Sequence, residues 1–256
     1  MSRADPERIG GLAWMNRTQG VLSSAERRRL LGEIVRGQAG YIAGRIKLAT
    51  GRTPEAARSI GVADFRPPDS RLAREAEEAC REQTPGVIGH SYRSWVFGSG
   101  LAALDGSELE AEQFFVACLL HDHGIVEPVA GQDFTARSAE RARRCAHAAG
   151  VDDDASAAIG QAITVHATPG ITADLDGPLG AYLQAGALLD LVGIRAEDLS
   201  RPFVHGANSA YPREGVTREI TSMIAAESRA NPESRFALLH RCGFSALVWA
   251  SPHRPR

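Results

Sequence analysis

Three observations predict an all-α fold: helix-capping signals recur along the chain, apolar residues repeat at helical spacing, and alternating β-branched runs between turns are nearly absent. Ser23 or Ser24 caps a first helix expected to run through Arg36 and to stop at Gly37. Residues 51–68, with Pro54, Gly61, Pro67 and Pro68, read as a loop that packs an N-terminal lobe on the rest. Asp69 or Ser70 then caps a helix ending near Thr84-Pro85. His90, Ser94, Phe97, Leu101 and Leu104 follow at the spacing of a buried helix face, with His90 at its start.

The stretch 110–122 is nearly all apolar after its first turn, and Gly124 is expected to stop it in the left-handed conformation. An arginine-rich helix over 137–149 ends at Gly150. Asp152, Asp153 and Asp154 supply a cap and dipole-matched charge for the next one, whose inner side carries Ile159, Ala162, Ile163 and His166. After a Gly/Pro loop, Leu179, Leu183, Gly186, Ala187 and Asp190 share a face that ends at Gly193. Amphipathic segments over 216–230 and 235–249 close the core, and 251–256 reads as a loose tail. The expected organisation is N-terminal helices and a loop over 1–68, one helical domain over 69–250, and the tail.

A chain of 256 residues is long enough for one large, well-buried core. With 43% hydrophobic and 23% charged residues it is ordinary globular material, and a net charge of −2 gives a polyanion no purchase, so nucleic acid is not an expected partner. No run approaches the ~20 apolar residues of a membrane helix. The start, with Arg3, Asp5, Glu7 and Arg8, lacks the apolar core of a signal peptide; a cytoplasmic location without membrane contact is expected. Cys80, Cys118, Cys145 and Cys242 are far apart in sequence and read as small buried hydrophobes with free thiols. Lys47 is the only lysine, which removes a lysine-based mechanism everywhere else. The N-terminal helices offer a surface for a homo-oligomer.

The chemistry lies in polar residues on apolar faces. An ionised carboxylate taken out of water costs several kcal/mol unless it is paired, hydrogen-bonded or metal-bound, and Asp122 and Asp190 both face that cost. His90 and His121 come from separate helices, and together the four residues make a donor set of two His and two Asp. That set suits one divalent transition metal, Zn²⁺, Fe²⁺ or Mn²⁺, better than thiol-seeking or all-oxygen ions. His166, on the core face, is the candidate for proton transfer. Arg93, one turn beyond His90, is a candidate to hold an anionic substrate group, and Trp95 and Phe134 are candidate walls of a small pocket. His123 stands just past a helix end, where exposure is the common fate.

The runs TPGVIGHSYRSWVFG, FFVACLLHDHGI, AITVHAT and LLDLVG, with Tyr211-Pro212-Arg213, resemble the HD-domain superfamily of metal-dependent hydrolases, most closely its cyanamide hydratase-like branch. The similarity covers about 84–213. It implies an HD-domain helical bundle with additional N-terminal helices. It further implies that His90, His121, Asp122 and Asp190 are metal ligands, with Asp122 also in the catalytic machinery. The implied activity is hydration or hydrolysis of a small molecule at a nitrile-like carbon; other members hydrolyse phosphate esters, a reading that needs a basic pocket from Arg93 and Arg137. A non-catalytic sensor that keeps the fold is a third reading. Two departures stand out: His123 replaces a usual apolar residue, and Thr135 and Ser138 stand at the usual Glu and Gly positions of an F-E-x-x-G-A pattern.

Overall fold

The computed structural model describes residues 7–51 and 53–253, so Arg3 and Asp5 at the start and the last three residues of the expected tail lie outside the described residues. The described residues are all-α, with no strand and only two isolated bridges. A short helix α1 (Leu12–Thr18) precedes the long α2 (Ser24–Thr50). Ser23 and Glu26 form a reciprocal capping box at the start of α2, and the Trp14 indole donates to Glu26 at 2.6 Å, joining the two helices. The expected stop at Gly37 is wrong. The helix continues through Gly37, Gly40 and Gly44 to a left-handed Gly51, since glycine in a helix costs only about 1 kcal/mol and does not forbid it.

Two single 3-10 turns follow, and then α3 (Arg71–Cys80), capped by Ser70. The core is built from α4 (Pro85–Leu104), α5 (Ala111–Leu120), α6 (Phe134–Ala149), α7 (Asp153–Val165) and, after a one-turn α8 (Ala173–Asp176), α9 (Pro178–Val192). Asp152 caps α7 as expected, and Glu110 and Asp133 likewise accept a backbone N–H of the first turn of α5 and α6, the latter starting three residues before the expected Arg137. Gly150 and Gly193 end α6 and α9 in the left-handed region. Gly124 does not do so for α5, which ends at His121 and runs into a 3-10 turn. Gly124 is needed for space instead, because a Cβ there would strike the Phe134 carbonyl oxygen.

The central contact is α4 against α9. A Cβ at Gly98 of α4 would lie 2.5 Å from the Tyr182 carbonyl oxygen, and one at Gly186 of α9 would collide with the Ser94 carbonyl oxygen. Glycine on both helices therefore lets the two backbones touch, which brings position 90 beside position 190. Phe97, Leu101, Phe114, Phe115, Leu119 and Leu183 fill the surrounding core at 0–1% exposure.

The rest of the chain wraps one side: α10 (Arg201–Ala210), α11 (Val216–Ala230), α12 (Arg235–Arg241) and α13 (Phe244–Trp249). A single helix over 235–249 was expected, but Gly243 at φ 91° divides it. The tail is not loose where it is described: Ser251 is buried, and the Pro252 ring packs over Gly193, with the His253 ring against Phe97. No helix among the described residues is long and apolar enough to cross a membrane.

Candidate metal centre

His121 and His166 occupy the same local position, each being the residue that ends its helix, α5 and α7 respectively. Each ring turns back and donates Nδ1–H to a carbonyl of its own last turn, His121 to Cys118 at 2.7 Å and His166 to Ile163 at 2.6 Å. Those carbonyls have no partner further along the helix, so the ring satisfies one of the groups that every helix end leaves open. The bond also fixes the tautomer. With the proton on Nδ1, Nε2 carries a lone pair directed away from the helix end.

His90, inside α4, reaches the same arrangement by another route. Its Nδ1 lies 2.7 Å from Asp190 Oδ2, which can only accept, so its Nε2 also presents a lone pair. The Nε2 atoms of His90 and His121 lie 3.3 Å apart, with Asp122 Oδ2 at 3.6 Å from the first and 3.4 Å from the second. All three residues are buried, and their donor atoms fall within 4.8 Å of one another. His166 Nε2 stands at the edge of the group, 3.7 Å from Asp122 Oδ1.

Electron-rich atoms converging in a buried space repel unless a cation lies between them. Two helix C-termini, those of α5 and α7, add their negative dipole ends to the same spot. The donors are borderline-soft nitrogens with one carboxylate oxygen, a set that suits a first-row divalent ion. The residues present therefore fit a metal. Without one, burial works against charge on His121, but the adjoining Asp122 carboxylate outweighs it and raises the pKa. Burial likewise opposes ionisation of Asp122, and the His121, His166 and His90 rings overcome it and hold the carboxyl well below its ordinary range. His90 and His166 are both lowered, chiefly by burial.

Asp190 is not among the converging donors. It sits behind His90, on the Nδ1 edge, and both its oxygens are taken: Arg93 donates from Nε at 2.7 Å and from Nη2 at 3.0 Å, and Arg213 donates Nη1–H to Oδ1. Burial alone would favour its neutral form, but the Arg93 and Arg213 guanidinium groups hold it ionised. Its position follows from the contact of α4 with α9, which sets residue 190 beside one edge of the imidazole while α5 and α7 end at the other. Helical spacing marks the face of a helix, not which nitrogen of a ring points where. Asp190 thus supports His90 as carboxylates commonly support metal-ligating histidines.

The three expected substrate contacts are placed elsewhere. Arg93 is fully buried and spent on Asp190 and on the carbonyls of Tyr211 and Pro212. Trp95 packs edge-on against Phe115, and neither it nor Phe134 lines the cavity that opens onto the donor group. Phe134 does abut His166, with ring centroids 5.9 Å apart, and so wedges that ring in place. Arg137 is bound to Glu227 and the Gly124 carbonyl. His123 turns outward to Glu82 at 2.8 Å. The departures at 135 and 138 are structural: Thr135 donates to Asp133 and Ser138 accepts from Gly124 N–H.

Sequence reasoning missed two contributors. Arg213 was noted only within a motif, and its grip on Asp190 needs the chain to return from α10. The long α2 was cut short at Gly37, which hid that its second half borders the cavity. Compared with known proteins, the chain matches no family model and no curated protein sequence.

Proposed function

We propose that this chain is a metal-dependent hydrolase or hydratase of a small molecule. The observation that carries the reading is the convergence of His90 Nε2, His121 Nε2 and the Asp122 carboxylate in a buried space that borders a cavity. The resemblance of the surrounding motifs to HD-domain hydrolases, nearest the cyanamide hydratase-like branch, supports the same conclusion and favours attack on a nitrile-like or related carbon. His90, His121 and Asp122 would hold a divalent ion, which would supply Lewis acidity and activate water near neutral pH.

The chain's own groups account for the remaining work. His166 keeps Nδ1–H on the Ile163 carbonyl, so only Nε2 is available, and it faces Asp122 at the rim of the donor group. Its pKa, lowered chiefly by burial, leaves it neutral near pH 7 and able to take a proton at Nε2 and return it. Asp190, kept ionised by Arg93 and Arg213, orients His90 and raises its basicity as a ligand. The phosphohydrolase reading loses its support, because Arg93 and Arg137, the cations it called on, are both engaged in the scaffold.

The test is elemental analysis of the purified protein and titration of the metal-free form with Zn²⁺, Fe²⁺ and Mn²⁺. Turnover screens against cyanamide, nitriles, phosphomonoesters and cyclic nucleotides follow. One equivalent of metal, lost in His121→Ala, with turnover of a neutral carbon substrate is the expected result. A protein that takes up no cation refutes the reading; stoichiometric metal without turnover of any class would make the chain a sensor.

A further inference from the structure

The donor group lines part of a cavity of about 410 Å³. Its walls are apolar over most of their extent, with Leu188, Leu191, Val192, Phe236, Leu239 and Leu247 among them. Part of its border is the second half of α2, where Gly37 and Gly40 face it. A Cβ added at either glycine would meet nothing within 4 Å. Glycine inside a helix is unfavourable by roughly 1 kcal/mol relative to alanine, so a helix carrying Gly32, Gly37, Gly40 and Gly44 is poorly made for stability. At Gly37 and Gly40, over the cavity, the missing side chains leave room, whereas at Gly44 the Glu197 carboxylate already fills the place of a Cβ.

The charges around this space are also informative. Besides the donor group, the ionisable side chains that border it are Glu33, Tyr41, His166, Arg195, Glu197 and Cys242. Arg195 is the one permanent cation among them, tied to Asp105 and Asp198 at 2.7–2.9 Å, and His166 keeps its Nδ1–H on the Ile163 carbonyl. No uncommitted positive group among the described residues faces the cavity. A phosphate dianion or a nucleotide would have to be desolvated against leucines and two carboxylates, whereas an apolar body would be desolvated at a gain. At roughly 30 Å³ per water-sized group, the space also holds on the order of a dozen non-hydrogen atoms, several times what cyanamide has.

We infer that the substrate is a neutral molecule with an apolar tail or ring system of about that size, its polar reactive head at the His90/His121/Asp122 group and its apolar part in the cavity bordered by α2 and α9. This inference rests on the metal-hydrolase reading and narrows its substrate class from tiny or phosphorylated compounds to apolar ones.

The experiment uses the full-length, zinc-loaded protein and a series of alkyl hydroxamates from acetohydroxamate to decanohydroxamate, whose common head chelates zinc, with affinity measured by calorimetry. Each added methylene that enters an apolar cavity contributes about 0.8 kcal/mol, so affinity should rise about fourfold per methylene and level off once the space is full. Gly37→Leu, which fills open space without disturbing the backbone, should move that plateau to shorter chains. Acetohydroxamate binding with no gain along the series, or a plateau that Gly37→Leu does not shift, overturns the substrate class and leaves the metal centre standing. Failure to take up any of Zn²⁺, Fe²⁺ and Mn²⁺, with no hydroxamate bound, overturns both.

Discussion

Replacing Asp190 by asparagine keeps its shape and removes its charge, which separates a carboxylate that supports a ligand from one that is a ligand. In the fold, Asp190 is at 0% exposure and faces Arg93 at 0% and Arg213 at 8%, with His90 Nδ1–H as a further donor. The amide would leave two buried guanidinium groups without a counter-charge and would turn an N–H of its own toward one of their donors. Breaking a buried pair on one side costs about 3–5 kcal/mol, which for a domain of this size lowers Tm by roughly 6–20 °C. That loss must appear in the metal-free protein, because the arginines are buried whether or not an ion is bound. Metal affinity should fall about 10–100-fold, the usual result of removing a supporting partner of a ligand. Asp122→Asn is the reciprocal case: its neighbours are three imidazoles and no arginine, so the metal-free protein should lose less than with Asp190→Asn and metal binding should suffer more. The assay is urea unfolding of chelator-treated and zinc-loaded protein, with zinc affinity from competition against a chromogenic chelator. A metal-free loss below about 1 kcal/mol for Asp190→Asn, or one seen only with zinc, would refute the argument, since a buried unpaired charge cannot be that cheap.

Two further outcomes follow from the packing. His253 is held neutral by burial, its pKa pushed down to about 4, and its Nε2 has no hydrogen-bond partner among the described residues. Above pH 6.5 the ring is neutral folded and unfolded; between 6.5 and about 4 only the unfolded chain takes up the proton, so stability falls as pH falls through that window, by on the order of 3 kcal/mol in all. His253→Phe, which keeps a ring against Phe97, should flatten that part of the urea stability–pH curve, and parallel curves would contradict the assignment. Glycine-to-alanine changes should have opposite signs at two helical sites: Gly186→Ala drives a methyl into the Ser94 carbonyl and should destabilise by about 1–3 kcal/mol. Exposed Gly32→Ala meets nothing and should stabilise by about 0.5–1 kcal/mol, both read by denaturant unfolding.

The amino-acid sequence alone determined the helices that local chemistry can specify. Ser23, Ser70 and Asp152 cap where short polar side chains must, and Gly150 and Gly193 stop helices where φ turns positive. It also marked His90, His121 and Asp122 as polar groups on apolar faces, because burying them demands a partner wherever the chain goes. Gly37 misled since a single glycine weakens a helix without ending it, and the neighbouring segments decide whether it continues.

Only the tertiary structure decided what Asp190 and Arg93 do. Arg93 follows His90 by three residues while Asp190 lies on a different helix, and their roles depend on which edge of the His90 ring each neighbouring helix meets. The close approach of α4 to α9 through Gly98 and Gly186 settles that edge, and residues far apart in sequence, down to Arg213, then complete the charge balance. Periodicity fixes one angle about a helix axis; the crossing of two helices and the rotamer of a ring are set by packing, which no single stretch of sequence contains.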